Sequence, residues 1–203
     1  EMFRDANFGA QHTIPLSTNF KVFRWFSVSS SANYTESWVF RTFDRSYDRE
    51  TRQVVVDTIT GFDSFRSYNF SSSVGTTIYG RIDRGSDKKY QAFRHVVRPS
   101  ISYNINPAFD QYYDEYEITN EQDPLLTRVV EYSRFQGSLY SPPGANFSSS
   151  IGLSISNTLE AKVRDRDSTA TEPKKVTLLN NFNISTAYNL AGDSLRLAPL
   201  NVR

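Results

Sequence analysis

His12 and His95 are the only histidines in a chain of 203 residues, and there is no cysteine. That removes thiolate nucleophiles, thiolate zinc sites and disulfide scaffolds together. A zinc site would have to be assembled from carboxylates around one imidazole. His95 stands beside Arg94 and near Arg98, a setting that would suit a phosphate, yet the same residues fit a structural role near a strand start, and that role is the expectation. The richest carboxylate cluster is FDQYYDEYEITNEQD, where Asp110, Asp114, Glu115, Glu117, Glu121 and Asp123 alternate with Tyr112, Tyr113 and Tyr116. Hard cations take oxygen ligands, but the spacing does not follow an EF-hand loop, and a solvated acidic loop is expected. No catalytic constellation emerges, and the expectation is a protein that is no enzyme and uses no metal or cofactor.

Composition narrows the class. A formal net charge of +1 spread through the chain leaves no electrostatic footprint for nucleic acid. With 38% hydrophobic residues and a mean hydropathy of −0.52, no window approaches the run of about eighteen apolar residues that a transmembrane helix needs. The beginning, EMFR, has neither the basic nor the apolar region of a signal peptide, and the end, SLRLAPLNVR, reads as a strand under way. Residues 1–203 are therefore expected to be one segment of a longer exported chain.

What positions these residues is strict alternation. In FSSSIGLSISNTLEAKV the odd positions carry Phe147, Ile151, Leu153, Ile155 and Leu159, and the even ones Ser148, Ser150, Gly152, Ser154 and Ser156. A period of two is the signature of a strand with two different faces. Eight such strands are expected, near residues 11–20, 26–40, 68–82, 90–105, 127–140, 147–163, 176–190 and from 195 onward. Between them short and long connections alternate, with long polar loops at 42–65, 106–126 and 165–175. Outer-membrane barrels alternate in this way, having short periplasmic turns and long extracellular loops. The short links near 21–24, 83–89, 141–146 and 191–194 are accordingly expected to be periplasmic and the long ones extracellular.

A soluble β-sandwich also alternates, but strands near fifteen residues span roughly 50 Å at about 3.3 Å per residue, more than sandwiches need. The expected fold class is all-β: a transmembrane antiparallel up-and-down β-barrel, with about eight strands forming part of a larger barrel. Lipid is expected against Phe26, Val28, Tyr34, Trp38, Phe70, Val74, Ile78, Ile101, Tyr103, Ile151, Leu153, Ile155, Leu159, Phe182, Ile184 and Tyr188. The lumen is expected to meet Ser29, Ser31, Asn33, Ser71, Ser73, Ser102, Asn104, Ser150, Ser154 and Ser156. These residues fill little space, which suits a wide wet lumen better than the packed interior of an eight-stranded barrel. Pro99 has no ladder donor and should mark a bulge or strand start.

Several stretches carry a family resemblance: TTIYG (76–80), FRHVVRPSISYNINPAF (93–109), NTLEAKVRD and NLAGDSLRLAPLNV. The spacing of Arg94, His95, Pro99, Tyr103 and Pro107 is the most specific part. Together they resemble the C-terminal barrel of the lipopolysaccharide-assembly outer-membrane family LptD, in its Bacteroidota-type members. The resemblance implies a bacterial outer-membrane location and a large barrel that inserts lipopolysaccharide into the outer leaflet. It also implies a periplasmic N-terminal jelly-roll, a plug lipoprotein, a periplasmic transport bridge and outer-membrane lipids as partners, with lipopolysaccharide leaving sideways through a seam. Residues 42–65 and 106–126 resemble nothing in that family. The alternatives are another large channel, such as a porin or secretion translocon, and a soluble adhesion domain.

Overall fold

The computed structural model describes residues 8–119, 127–164 and 173–203. Its strands are β1 (Gly9–Val22), β2 (Phe26–Asp48), β3 (Gln53–Gly75), β4 (Ile78–Asp83), β5 (Tyr90–Asn106), β6 (Tyr113–Thr119), β7 (Thr127–Ser133), β8 (Ser148–Val163), β9 (Lys174–Asn189) and β10 (Asn201–Val202). One eight-stranded sheet runs in the order β1-β2-β3-β5-β8-β9-β10, with β4 also paired to β5, and β6 and β7 form a separate two-stranded sheet. The architecture is all-β, an antiparallel up-and-down sheet, and it is not closed into a barrel. Ser, Thr, Val and aromatic residues dominate these segments and fit a pleated surface.

The sequence expectations need two corrections. Residues 42–65 are not a long loop, because β2 runs on to Asp48 and β3 starts at Gln53, leaving a turn at 49–52. The charges in RTFDRSYD and the switch of apolar residues to the other parity at Val39 and Phe43 suggested a loop, but Val54, Val55 and Val56 are good strand formers. Asp48 closes the turn by accepting hydrogen bonds from the Glu50 N–H at 2.9 Å and the Thr51 hydroxyl at 2.7 Å.

The fifth expected strand, 127–140, is not part of the main sheet. Its first half is β7, paired to β6 from Tyr113 opposite Ser133 to Thr119 opposite Thr127. The acidic stretch read as a loop is thus half of a hairpin; Glu121 and Asp123 lie outside the described residues. With one crossing fewer, the parity of every later connector changes. The Arg164 N–H donates to the Lys89 carbonyl at 2.9 Å, so the end of β8 adjoins the turn between β4 and β5. Counting antiparallel crossings groups the ends of the connector after β8, at Arg164 and Pro173, with the short turns at 23–25 and 84–89. Residues 165–172 themselves lie outside the described residues.

The chain divides into two compact units. The first comprises the described parts of Glu1–Leu16, Ala32–Phe70 and Asn106–Ser148, and the second comprises Ser17–Ser31, Ser71–Ile105 and Ser149–Arg203. In the first, the segment between β5 and β8 folds back across β3 to the edge of β2. Phe135 is fully buried against Phe65, with ring centroids 4.7 Å apart, and Val39 and Tyr112 complete the cluster. Arg134 ties the segment at two points: its carbonyl accepts from the Phe43 N–H at 2.8 Å, and its Nε reaches Asp63 at 3.2 Å. The Tyr132 hydroxyl accepts from the Arg45 N–H and donates to Asp44 at 2.6 Å, so burial and that carboxylate push its phenol upward.

In the second unit, β8 and β9 pair from Ser150 opposite Asn189 to Val163 opposite Lys174, with register shifts on either side of Leu159. β9 absorbs the extra residues, and Asn181 takes a φ of 55° there.

Phe135→Ala should cost about 3–5 kcal/mol of local stability and expose Arg128 and Arg134 to trypsin in the folded protein. Unchanged digestion would show that the cluster does not hold the segment. At the turn, the hydrogen bonds from Thr51 and Glu50 hold the Asp48 carboxyl below its ordinary value. Its contribution is present above the unfolded carboxylate value and is lost as pH falls through the depressed one. Amide exchange at Glu50 and Thr51, corrected for intrinsic rates, should therefore accelerate in acid in the native chain. In Asp48→Asn it should be fast at every pH.

Candidate functional site

The two faces of each strand are chemically distinct, and the candidate site is this pair of surfaces. In the first unit one face carries a ladder of small polar groups. Gln11 donates to the Ser37 hydroxyl at 2.9 Å, Thr13 and Thr35 lie 3.1 Å apart, Asn33 donates to the Asn69 carbonyl at 3.2 Å, and Asn106 to Ser148 at 3.0 Å. In the second unit the Ser31 and Ser71 hydroxyls are 2.7 Å apart and Ser154 donates to Asn183 at 3.0 Å. Ser29 and Ser73 share the face of Ser31 and Ser71 by alternation. A Cβ on Gly152 would stand 2.5 Å from the Ser102 hydroxyl, so β5 and β8 approach closely on this face. Ser150 and Asn104 lie two residues along from Gly152 and Ser102, on that same side.

The residues expected to meet lipid lie on the other face. Ile151 pairs with Tyr188, Ile155 with Ile184, and Asn157 with Phe182. Leu153 shares the parity of Ile151, and Leu159 faces Leu179. Phe26, Trp38, Phe70, Val74, Ile78, Ile101, Leu153, Ile155 and Tyr188 are all exposed. Among the described residues eight hydrophobic ones are buried against more than thirty exposed large ones, the reverse of what an isolated water-soluble domain shows. Val28 and Tyr34 are half-buried on the same parity.

Sequence reasoning missed one polar cluster on this apolar face. Glu36 accepts from the Tyr34 hydroxyl at 2.8 Å and from Trp38 Nε1 at 3.0 Å, with His12 at 3.8 Å and Arg66 at 3.6 Å. The His12 ring meets Trp38 edge-on at 5.0 Å, and Phe62 meets both Trp38 and Phe40. A carboxylate between two aromatics on an apolar parity was visible in YTESW; its partners from the neighbouring strands, His12 and Arg66, were not.

The motif residues Arg94, His95, Pro99, Tyr103 and Pro107 do not converge. Along β5, Arg94 lies on one face and His95, Pro99 and Tyr103 on the other, and Pro107 lies just past its end. Arg94 stands over the Tyr79 ring at 5.4 Å, His95 meets Asn157 at 3.2 Å, and Pro107 lines a hollow with Tyr68, Asn69, Phe109 and Pro143. Pro99 sits inside β5, and the irregularity it causes falls on its neighbour. Its carbonyl accepts from the Thr76 N–H at 3.2 Å but it has no N–H to return, and the facing chain breaks at Thr76 and Thr77, between β3 and β4. Thr76 turns its hydroxyl to the Trp25 carbonyl at 2.8 Å.

Among the described residues no group of three His, Asp or Glu side chains could hold a metal ion. No described helix is long and apolar enough to cross a membrane, which says nothing of strands. A family model described as LptD protein matches residues 1–203. No curated protein and no solved structure matches the chain.

Pro99→Ala should restore the missing donor opposite Thr76. We expect a protected amide at the substituted position, slowed exchange at its neighbours, and a gain of about 0.5–1.5 kcal/mol, the net value of one hydrogen bond. No change in exchange would place the cause of the break elsewhere.

Proposed function

The chain belongs to the LptD family, and on that footing we propose that it forms outer-membrane β-barrel wall in a protein that inserts lipopolysaccharide into the outer leaflet. The observation that carries the reading is the family match over residues 1–203; the two-faced sheet supports it. The activity is transport and assembly, with no covalent step.

In this reading the apolar parity, from Phe26, Val28, Tyr34 and Trp38 through Phe70, Val74, Ile78, Ile101 and Tyr103 to Ile151, Leu153, Ile155, Leu159, Phe182, Ile184 and Tyr188, meets lipid. The Ser and Asn ladder, with Ser29, Ser31, Asn33, Ser71, Ser73, Ser102, Asn104, Ser150, Ser154 and Ser156, meets a water-filled lumen. Residues 1–203 are one barrel segment. Strand edges in lipid must be paired because unpaired peptide groups cost several kcal/mol each, so further strands of the assembled barrel take the free edges of β1 and β10. The wide lumen that the small residues imply has room for a plug lipoprotein, and lipopolysaccharide would arrive over a periplasmic bridge. The short turns at 23–25 and 84–89 face the periplasm together with the 164–173 connector. The extended β2–β3 hairpin and the β6–β7 hairpin face outward.

Ile155→Arg in the full-length protein should block outer-membrane assembly, since an arginine facing mid-bilayer costs about 2–4 kcal/mol in a barrel. Ser154→Arg, one residue away on the opposite face, should assemble. The readout is heat-modifiable migration of the membrane fraction, with surface lipopolysaccharide measured during depletion of the native copy. Equal assembly of both variants, or a native chain that stays monodisperse without detergent, would overturn the membrane reading. Normal surface lipopolysaccharide under depletion would overturn the transport reading alone.

A further inference from the structure

In the second unit, β4, β5, β8 and β9 carry a cation each within a short stretch, and the register sets them against one another. Arg81 lies directly opposite Arg94, and Lys162 directly opposite Lys175. Like charges directly opposite across a ladder are destabilising. Two such pairs on neighbouring strands need an anion to offset them.

The described residues supply only part of that anion. Asp83 engages Arg81 at 2.8 and 3.0 Å. Glu160 is shared, with Oε1 2.8 Å from Lys175 and Oε2 3.7 Å from Arg94. Lys162 has no ion pair among the described residues. Among the described residues, four cations therefore face two carboxylates. Between them lies a hollow of about 600 Å³ floored by Ala92, with Tyr79 beneath the Arg94 guanidinium. The small floor residue keeps it open: Ala92 is 7% exposed and stands opposite Asp83, where a longer side chain would fill the space.

We propose that this trough binds a phosphate monoester, held by Arg94 and Arg81 on one side and Lys162 and Lys175 on the other. Two uncompensated positive charges match a phosphate dianion. Guanidinium forks suit its oxygens, and the ammonium groups act as point charges. Register and charge within this unit carry the proposal, independently of the transport reading. The phosphate is either free or carried on a lipid headgroup, and both sources offer the same dianion.

The test uses the full-length protein in neutral-headgroup micelles, titrated with inorganic phosphate and with glucose 1-phosphate, glucose serving as the control. A second arm holds phosphatidic acid in the micelle, with phosphatidylcholine as its control. Saturable binding of the soluble ligands identifies a free phosphate, and binding confined to phosphatidic acid identifies a headgroup. In either case Arg94→Gln with Lys162→Gln should weaken binding at least tenfold, with heat-modifiable migration confirming the fold. Glu160→Gln, which removes the internal competitor, should tighten it several-fold. Absence of saturable binding in both arms overturns the proposal, as does binding indifferent to all three substitutions.

Discussion

Every peptide group of a long strand must find a partner, and most of this structure follows from where the partners are. Strands of fourteen to twenty-three residues in β1, β2 and β3 can exist because each is paired along its length by a neighbour. Where a donor is missing the ladder registers the loss at once. Pro99 remains in its strand, and the chain opposite it comes apart at Thr76 and Thr77. The same pairing fixes the alternation of faces, since a slip of one residue would exchange the Ser and Asn ladder for the apolar face. Side-chain bonds such as Ser31 to Ser71 and Asn33 to Asn69 lie in one register and help to hold it.

Once the ladder is fixed, the two faces can be given to different surroundings, and the exceptions are informative. Glu36 sits on the apolar parity but is enclosed by Tyr34, Trp38, His12 and Arg66, so its charge is satisfied within the protein. Aromatics around a polar point are what a boundary between hydrocarbon and headgroups selects. On the opposite parity, Val39 and Phe65 leave the run of small polar residues and become core, because the segment after β5 lies on them. A change of residue character along one face thus marks a change in what covers it.

The long strands were legible because alternation is a local signal, and β1, β2, β5, β8 and β9 follow it closely. Two things were not legible. The pairing of 127–133 with 113–119 depends on which neighbour a strand finds, and a strand pattern does not name its partner; TRVVEYS reads equally well as wall or as hairpin. The cluster of Phe135, Phe65, Val39 and Tyr112 joins residues far apart in the chain, with no period to reveal it. Charge also misled the reading: RTFDRSYD is strand although charged, with Asp44 accepting from Tyr132 and Asp48 closing the turn. Pro99 was expected to mark a bulge or strand start and instead lies inside β5, with the break in the chain opposite it, since a missing donor is felt by the residue that needed it.

The fold-back segment has a consequence in time as well as in space. The bond between Arg45 and Tyr132 closes a separation of 87 residues, whereas the β1–β2 turn joins its strands through three. Loop closure costs more entropy as separation grows, and contacts of high order form late. The hairpins of the sheet can therefore zip before the segment docks. During that interval Val39, Phe65 and Phe135 stand uncovered, so the step most exposed to misassembly is the last contact to close, not the first strand to form.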